Sequence, residues 1–348
     1  MTSVRQTGLA PPRALDAKDP FARAVRASWR KLTGGRRVRD ADRRTVAACS
    51  GGADSSALAL ALAGVGHDAV VIAHIVHDMR PEADAMADRD AVAALAESLG
   101  LPFREARVTA TNTPGNIEAV AREQRLVALG QIARDAAAPF VATGHHADDQ
   151  LETVLMRLAR GTGPAGLAGI HPSRSIDGAT LIRPQLDQPR GACEDACRRA
   201  GWGWRNDATN SDERRFRAAI RARVTPELRS LAPGIEQRIG RTCRLLESAA
   251  EVIAQRAREL AAATQRTDER VQWDRDRLSR EPSVVVGELL RQELARRGVS
   301  ADDATGGRLD AILDSIADPM DTSNTFGFDG VRVIVRGTAV EIDGHAEK

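Results

Sequence analysis

The residues best suited to chemistry lie in a short loop that reads S-G-G-A-D-S-S over residues 50–56. Two glycines let the backbone bring its N–H groups close to a ligand, and serine hydroxyls add hydrogen-bond donors. An apolar run precedes the loop and an alanine–leucine pattern follows it. This is the order strand, tight loop, helix start that binds phosphate. The predicted phosphate-binding residues are Ser50, Gly51, Gly52, Ser55 and Ser56.

The same loop contains a carboxylate, Asp54, which would repel a phosphate unless a divalent cation lay between them. We therefore predict that Asp54 holds Mg²⁺ beside the phosphates. The loop is not a Walker A motif, because that motif needs a lysine here and the chain has lysine only at Lys18, Lys31 and Lys348. A glycine turn capped by Asp or Ser is the alternative, but the position between strand and helix favours phosphate binding.

A second polar group follows the fourth predicted strand, in the sequence T-G-H-H-A-D-D-Q-L-E-T over residues 143–153. Asp149 and Glu152 are three residues apart on a predicted helix, so they share a face that is distinct from the apolar one. Two such carboxylates either hold a metal or bind a cation such as an amino group. A helix start enriched in acids for its dipole would explain the aspartates, but not the histidines beside them, among them His145.

Two pairs of arginines are predicted to reach a polyphosphate or an RNA. Arg122 and Arg125 lie near the start of the helix after the third strand, where a surface ion pair of Arg122 with Glu118 is the alternative. Arg217 and Arg221 are one helical turn apart in the most basic segment of the chain. That spacing suits an RNA backbone, and a solvated face paired with nearby acids is the alternative.

These residues fall at the ends of elements that alternate along the chain. The elements are strands at 46–49, 69–75, 103–108 and 140–143, with helices at 82–99 and 117–136. The alternation predicts an α/β fold, with a Rossmann-like parallel sheet, helices on both faces and ligands at the carboxyl ends of the strands. His74 and His77, at the end of the second strand, are candidates for contact with adenine or ribose.

The alternation stops at about residue 226, which predicts a second domain. Its predicted elements are helices at 235–263, 282–297 and 302–317 and a hairpin over 324–342. We expect a loose N-terminal extension over residues 1–20, a catalytic domain over 21–225, and a smaller, mainly helical C-terminal domain over 226–348.

Composition excludes several classes of protein. With 348 residues, 42% of them hydrophobic, the chain is long enough for two packed domains. A net charge of +2, from 50 basic and 48 acidic residues, does not by itself indicate nucleic-acid binding. No apolar run approaches the roughly 20 residues of a membrane span and no signal peptide is evident, so we expect a cytoplasmic protein. The four cysteines lack metal-site or disulfide spacing and are predicted to be reduced thiols.

Several motifs, taken in order over residues 46–228, resemble the tRNA(Ile)-lysidine synthetase family of PP-loop ATP pyrophosphatases. They are S-G-G-A-D-S, G-N-I-E-A-V-A-R-E-Q-R, G-H-H-A-D-D-Q-L-E-T, R-G-T-G-P-A-G-L, R-P-Q-L and W-R-N-D-A-T-N. The resemblance implies an enzyme that uses ATP and Mg²⁺ to adenylate carbon 2 of the wobble cytidine in a tRNA(Ile) with a CAU anticodon. An amino group of free L-lysine would then displace AMP to form lysidine.

The resemblance also implies roles for the residues already selected. The catalytic residues would be Asp54, Arg122, Asp149 and Glu152. ATP would contact His145 together with the loop from residue 50 to residue 56, and lysine would contact Asp149 and Glu152. The tRNA would contact Arg125, Arg217 and Arg221, while the C-terminal domain would recognise the body of the tRNA.

The chain departs from the family pattern at three positions. Gln185 stands where the family usually has leucine, Arg190 where it has lysine, and Ala218 where it has asparagine. The last change bears on a local tRNA contact. The chain is also shorter at its C-terminus than the long form of the family, so tRNA discrimination would rest on fewer contacts, which a homodimer would supplement.

Two other functions compete with this interpretation. Another PP-loop tRNA enzyme, such as a thiolase, would rely on paired cysteines, which the wide spacing of Cys193 and Cys197 does not match. A non-catalytic tRNA-binding homologue would not need the intact carboxylates of Asp54, Asp149 and Glu152.

Overall fold

The computed structural model describes residues 11–78, 81–109, 117–205, 215–262, 264–267, 270–300, 304, 306–318, 320 and 323–344. The chain forms two compact units. One comprises Met1–Ala159 with Gly169–Thr242, and the other Arg160–Ala168 with Cys243–Lys348. The division at residues 242 and 243 falls within one helix of 28 residues, Ile235–Ala262. The domain bounds of 21–225 and 226–348 stay a prediction.

The first unit is built on a six-stranded sheet in the order β3-β2-β1-β4-β6-β5, parallel except for the antiparallel edge strand β5. The inner strand β2 is buried along almost its whole length, as expected for a parallel strand covered on both faces. The strands are β1 Thr45–Ala48, β2 Val70–His77, β3 Phe103–Val108, β4 Phe140–Ala142, β5 Ser173–Ile176 and β6 Ala179–Ile182.

Helices cover both faces of this sheet. The helices are α1 Pro20–Leu32, α2 Ala53–Ala63, α3 Glu82–Ser98, α4 Ile117–Asp135, α5 Ala147–Ala159, α7 Arg190–Arg199, α8 Phe216–Ala219 and α9 Thr225–Leu231, and a π-helix spans Ile220–Val224. One apolar core joins α1, α2 and α7 to the sheet, and another joins α4 to its opposite face. The predicted α/β architecture is therefore confirmed, whereas the β5–β6 hairpin was not predicted.

The second unit contains a sheet as well as helices. Its helices are α6 Pro164–Leu167, most of α10 Ile235–Ala262, α11 Arg275–Ser279, α12 Ser283–Arg296 and α13 Gly307–Ala317. Its strands are β7 Gln265–Arg266, β8 Arg270–Asp274, β9 Ser323–Phe328, β10 Val331–Arg336 and β11 Ala339–Gly344, in the order β7-β8-β11-β10-β9. The predicted terminal hairpin is thus part of a five-stranded antiparallel sheet, packed on α11–α13 by a continuous apolar core. In the described part of the chain, no helix is long and apolar enough to cross a membrane.

Candidate active site

The phosphate loop lies between β1 and α2, as its sequence predicts. Gly51 has a φ of 90°, which a residue with a side chain adopts only with strain. The Ser55 hydroxyl accepts a hydrogen bond from the Ser50 N–H at 3.1 Å and donates to the Gly52 carbonyl at 3.2 Å, which fixes the loop. No side chain caps the first turn of α2, so its N–H groups are available to an anion.

Asp54 has the properties expected of a magnesium ligand. Its Oδ1 atom is buried and has no hydrogen-bond partner among the described residues. Mg²⁺ is commonly held by one or two carboxylates together with phosphate oxygens and waters. No cluster of three or more metal-binding side chains occurs in the described ranges, so a single carboxylate beside a bound polyphosphate is the arrangement that fits.

The carboxylates of Asp149 and Glu152 are paired with two arginines of the same chain. Arg217 contacts Asp149 Oδ1 at 2.6 Å through Nη2 and Glu152 Oε2 at 2.7 Å through Nε. Arg221 binds both oxygens of Glu152, at 2.6 and 2.9 Å. Glu152 is 1% exposed, whereas the arginines are 36% and 31% exposed. Arg217 and Arg221, which were predicted to bind RNA, are therefore bound to the two carboxylates that were predicted to bind an amine.

A histidine links the phosphate loop to this carboxylate pair. His146 Nε2 lies 3.4 Å from Asp54 Oδ2 and 3.5 Å from Asp149 Oδ2. Burial lowers the pKa of His146, but interaction with Asp54 and the negative charges of Asp149 and Asp148 outweigh burial and raise it. Burial also raises the pKa of Asp149, but the positive charges of His146 and Arg217 leave it below its usual range.

The neighbouring histidine behaves in the opposite way. Burial lowers the pKa of His145 to about 4, and the charges of Arg183 and Arg122 add to this effect while Asp149 opposes it. His145 Nδ1 lies 2.9 Å from the Thr143 hydroxyl. The ring is therefore neutral at pH 7 and suited to hydrogen bonding rather than to charge pairing.

Arg122 and Arg125 lie on α4 and face the same cavity. Desolvation lowers the pKa of both, and for Arg122 the next largest cause is the positive charge of Arg174 on β5. Neither Arg122 nor Arg125 forms an ion pair with a described residue. Cations at a cavity wall that are not paired with a described carboxylate are suited to phosphate groups.

These groups surround one cavity of about 440 Å³. Of the predicted site residues, those that line it are Ser50, Gly52, Asp54, Ser55, Arg122, Arg125, His145, Asp149 and Arg217. Those that do not line it are Gly51, Ser56, Glu152 and Arg221. Glu152 and Arg221 instead support the wall through the contacts described above. His74 and His77 also line the cavity, at the end of β2.

Sequence reasoning missed three residues that shape the site. The adjacent histidines at the strand end were a signal for His146, although only His145 was selected. Arg174 lies on the β5–β6 hairpin, which was not predicted although its two-residue Asp177-Gly178 turn is a hairpin signal. Gln185 was noted only as a departure from a pattern, yet it hydrogen bonds two of the loops that form the site. Residues 79–80, 110–116 and 206–214, which include parts of the selected motifs, lie outside the described residues.

The fold and the loop geometry are those of a PP-loop protein. Residues 23–228 match the family described as the PP-loop domain. Among solved structures, a U34-tRNA thiolase from Methanococcus maripaludis with its [4Fe-4S] cluster aligns with a TM-score of 0.53. It is 20% identical, and the alignment covers 65% of this chain and 79% of the thiolase, so this likeness concerns the fold alone.

Curated relatives define the family more narrowly. A tRNA(Ile)-lysidine synthase of Methylobacterium sp. (strain 4-46) is 39% identical over 72% of this chain and 73% of that protein. The enzyme of that name from Bordetella parapertussis is 39% identical over 62% of this chain and 64% of its own length, and that from Salinispora tropica is 42% identical over 57% and 61%. The chain belongs to the tRNA(Ile)-lysidine synthase family. The match spans less than two thirds of the Bordetella relative.

Proposed function

We propose that the protein ligates L-lysine to carbon 2 of the wobble cytidine in a tRNA(Ile) with a CAU anticodon, using ATP and Mg²⁺. The observation that carries the proposal is the single cavity that joins the PP-loop to the Asp149 carboxylate, with His146 within 3.5 Å of both Asp54 and Asp149. A phosphate site and an amine site so close together suit a reaction that first activates a group and then replaces it with an amine.

The reaction has two steps. In the first, the cytidine O2 attacks the α-phosphorus of ATP, an O–P bond forms, and the bond to the β-phosphate breaks to release pyrophosphate. In the second, an amino group of lysine attacks carbon 2, a C–N bond forms, and the C–O bond breaks with release of AMP. Adenylation is needed because the unactivated ring oxygen is a poor leaving group.

The residues on the phosphate side serve the first step. The PP-loop hydroxyls and the first turn of α2 would bind the phosphates, and Arg122 and Arg125 would balance negative charge at the wall of the cavity. Asp54 would hold Mg²⁺, which neutralises charge on the phosphates when bound. The neutral ring of His145 would hydrogen bond to the nucleotide or to the cytidine.

The carboxylates serve the second step, but only after a rearrangement. Asp149 and Glu152 are suited to orient an amine, since a carboxylate pair attracts an ammonium group. Both accept hydrogen bonds from Arg217, and Glu152 also accepts hydrogen bonds from Arg221. Lysine must therefore displace Arg217, and the phosphates of a bound tRNA would offer that arginine an alternative partner.

A second candidate function, sulfur transfer to tRNA, is disfavoured by the cysteines. All four are buried, and none of them forms a disulfide. Burial raises the pKa of Cys49, of Cys193 and of Cys197, in the last case to about 12. Sulfur transfer through cysteine needs an accessible thiolate, which these surroundings oppose.

The test is incubation of the full chain with a CAU-anticodon tRNA(Ile) transcript, ATP, Mg²⁺ and labelled lysine. We expect label in the tRNA together with one pyrophosphate and one AMP per lysine incorporated. The matched control is the same transcript with uridine at the wobble position, which should remain unlabelled. ATP-independent labelling, or no labelling of the CAU transcript, would overturn the proposal, and binding of the tRNA without labelling would favour a non-catalytic homologue.

A further inference from the structure

Gln185 lies at the point where three segments of the site meet. Its side chain is 0% exposed, and it follows β6 in the sequence R-P-Q-L. Its Nε2 group donates to the backbone carbonyl of Asp54 at 2.9 Å and to that of Gly144 at 3.0 Å. A single amide therefore connects the segment after β6, the first turn of α2 and the turn before α5.

The orientation of this amide is fixed by its partners. Both contacting groups are carbonyls, which accept hydrogen bonds only, so the NH₂ group and not the oxygen must face them. Both amide hydrogens are then used. The Gln185 Oε1 atom is buried and has no partner among the residues that the structure describes. Burial of the Oε1 atom without a hydrogen bond costs free energy, which the two hydrogen bonds donated by Nε2 offset.

The two segments that Gln185 connects are already in close contact. A Cβ atom added at Gly144 would lie 2.9 Å from the Ser55 nitrogen and 2.9 Å from its Cα, so only glycine lets the turn approach the loop. Asp54 and His146 project from the two sides of this contact, with 3.4 Å between Asp54 Oδ2 and His146 Nε2. A shift of either segment would therefore move the Asp54 carboxylate relative to His146 and the rest of the site.

We infer that Gln185 is a positioning residue, which holds the Asp54 carboxylate in the place where Mg²⁺ and the phosphates of ATP are bound. The inference rests on the proposed function for the identity of the nucleotide, and on the two hydrogen bonds for the role of the residue. Leucine has nearly the same volume and no donors, so Gln185→Leu removes the hydrogen bonds and keeps the packing.

The experiment measures how strongly the full chain binds a fluorescent ATP analogue as Mg²⁺ is titrated, without tRNA or lysine. We expect Gln185→Leu to raise the Mg²⁺ concentration at half-maximal binding by roughly 10-fold, since a small displacement of a binding group costs up to about 100-fold. Binding without Mg²⁺ should change much less. The control is Gln131→Leu on the exposed face of α4, which should leave the titration unchanged.

The outcomes separate this inference from the proposed function. An unchanged Mg²⁺ midpoint in Gln185→Leu overturns the inference, even if the variant is less stable, because the midpoint does not depend on the fraction of folded protein. If Gln185→Leu does not fold, Gln185→Met is measured in its place and judged by the same midpoint. Wild-type protein that binds the analogue with Mg²⁺ but does not label tRNA overturns the proposed function alone. Wild-type protein that does not bind the analogue overturns both.

Discussion

The cavity has two halves, which differ in the pairing of their charged groups. The phosphate half is the side formed by the PP-loop, Arg122 and Arg125, and the amine half is the side at Asp149 and Arg217. In the phosphate half, Arg122 and Arg125 have no ion-pair partner among the described residues. Asp54 Oδ2 lies 3.4 Å from His146 Nε2, whereas its Oδ1 has no hydrogen bond to a described residue. In the amine half, Asp149 at the wall of the cavity and Glu152 behind it are both bound by guanidinium groups. A ligand can therefore reach the charged groups of the phosphate half without breaking a described arginine–carboxylate pair. In the amine half, guanidinium groups of the same chain already bind the carboxylates.

This difference has an energetic consequence. Breaking a buried ion pair costs about 3–5 kcal/mol when one partner is left alone, and less when the incoming ligand restores the charge balance. Arg217 is partly exposed, so it can exchange partners at a lower cost than a fully buried arginine would. We therefore expect ATP to bind without rearrangement, and lysine to bind well only when another anion accepts Arg217.

The largest effect is expected in the phosphate half, from Asp54→Asn. The change keeps the size of the side chain but removes the charge that would hold Mg²⁺, so tRNA-dependent pyrophosphate release should fall by at least ~100-fold. Pyrophosphate is measured under saturating ATP. The control is Asp42→Asn, a surface residue paired with Arg39. Release within a few-fold of wild type would show that Asp54 does not act at the phosphates.

A smaller and more selective effect is expected in the amine half, from Glu152→Gln. The variant loses the charge that an ammonium group needs, and removal of a buried charged partner costs about 2–5 kcal/mol. The half-saturating lysine concentration should rise at least ~30-fold. The rate of pyrophosphate release in the absence of lysine should stay within a few-fold of the wild-type rate. Glu97→Gln, on an exposed face of α3, is the control. Equal losses in the two assays would contradict the division of the cavity into halves.

Arg217→Gln tests whether Arg217 competes with lysine for the carboxylates of the amine half. Without this guanidinium, we expect lysine to bind several-fold more tightly to tRNA-free protein, as measured by calorimetry, because it no longer displaces a cation. The slope of the logarithm of tRNA affinity against the logarithm of salt concentration should become shallower by about 1, because one phosphate contact is lost. Arg104→Gln, on the exposed edge strand β3, serves as the control. Weaker lysine binding would show that Arg217 helps to hold the amine.

The position of the PP-loop was predicted from the sequence more fully than the contacts of Asp149 and Glu152 were. The PP-loop residues are contiguous, so a local pattern of glycines, serines and apolar flanks was sufficient to place them. The pairing of Asp149 with Arg217 joins residues 68 positions apart in the sequence. No local pattern specifies such a contact, and the arginine spacing suggested an exposed RNA-binding face because helical periodicity does not identify a partner across the fold.

The fold shows the same division between local and non-local information. The first four strands and the helices α3 and α4 were predicted to within two residues, since each has its own apolar pattern. The β5–β6 hairpin and strand β8 were not predicted. They are short, and β5 is largely exposed at the edge of its sheet. Strand β6 also pairs with β4, and β8 pairs with β11, so both of these pairings join strands that are distant in the sequence. Gln185 was identified as unusual, but its two acceptors could be known only from the structure.

The smallest expected effect concerns the pH dependence of stability, which should also differ between the halves. His145 has a pKa of about 4 in the folded chain because of burial, against about 6.5 when unfolded. The unfolded chain therefore binds the proton first, and stability contributed by neutral His145 is present above pH 6.5 and lost as the pH falls toward 4. Asp149 has a lowered pKa, so its contribution is lost only below the ordinary aspartate range, as the pH falls through its folded value.

Urea unfolding between pH 7 and pH 4 separates these two contributions. Relative to wild type, His145→Gln should lose less free energy of unfolding as the pH falls through this window, because it lacks the group that protonates on unfolding. Asp149→Asn should be less stable than wild type throughout the same window, since the Asp149 carboxylate stays charged. His67→Gln, at an exposed histidine, is the control. Parallel curves for wild type and His145→Gln would mean that this ring is not held neutral by burial, and the phosphate half would then carry one more positive charge near pH 5.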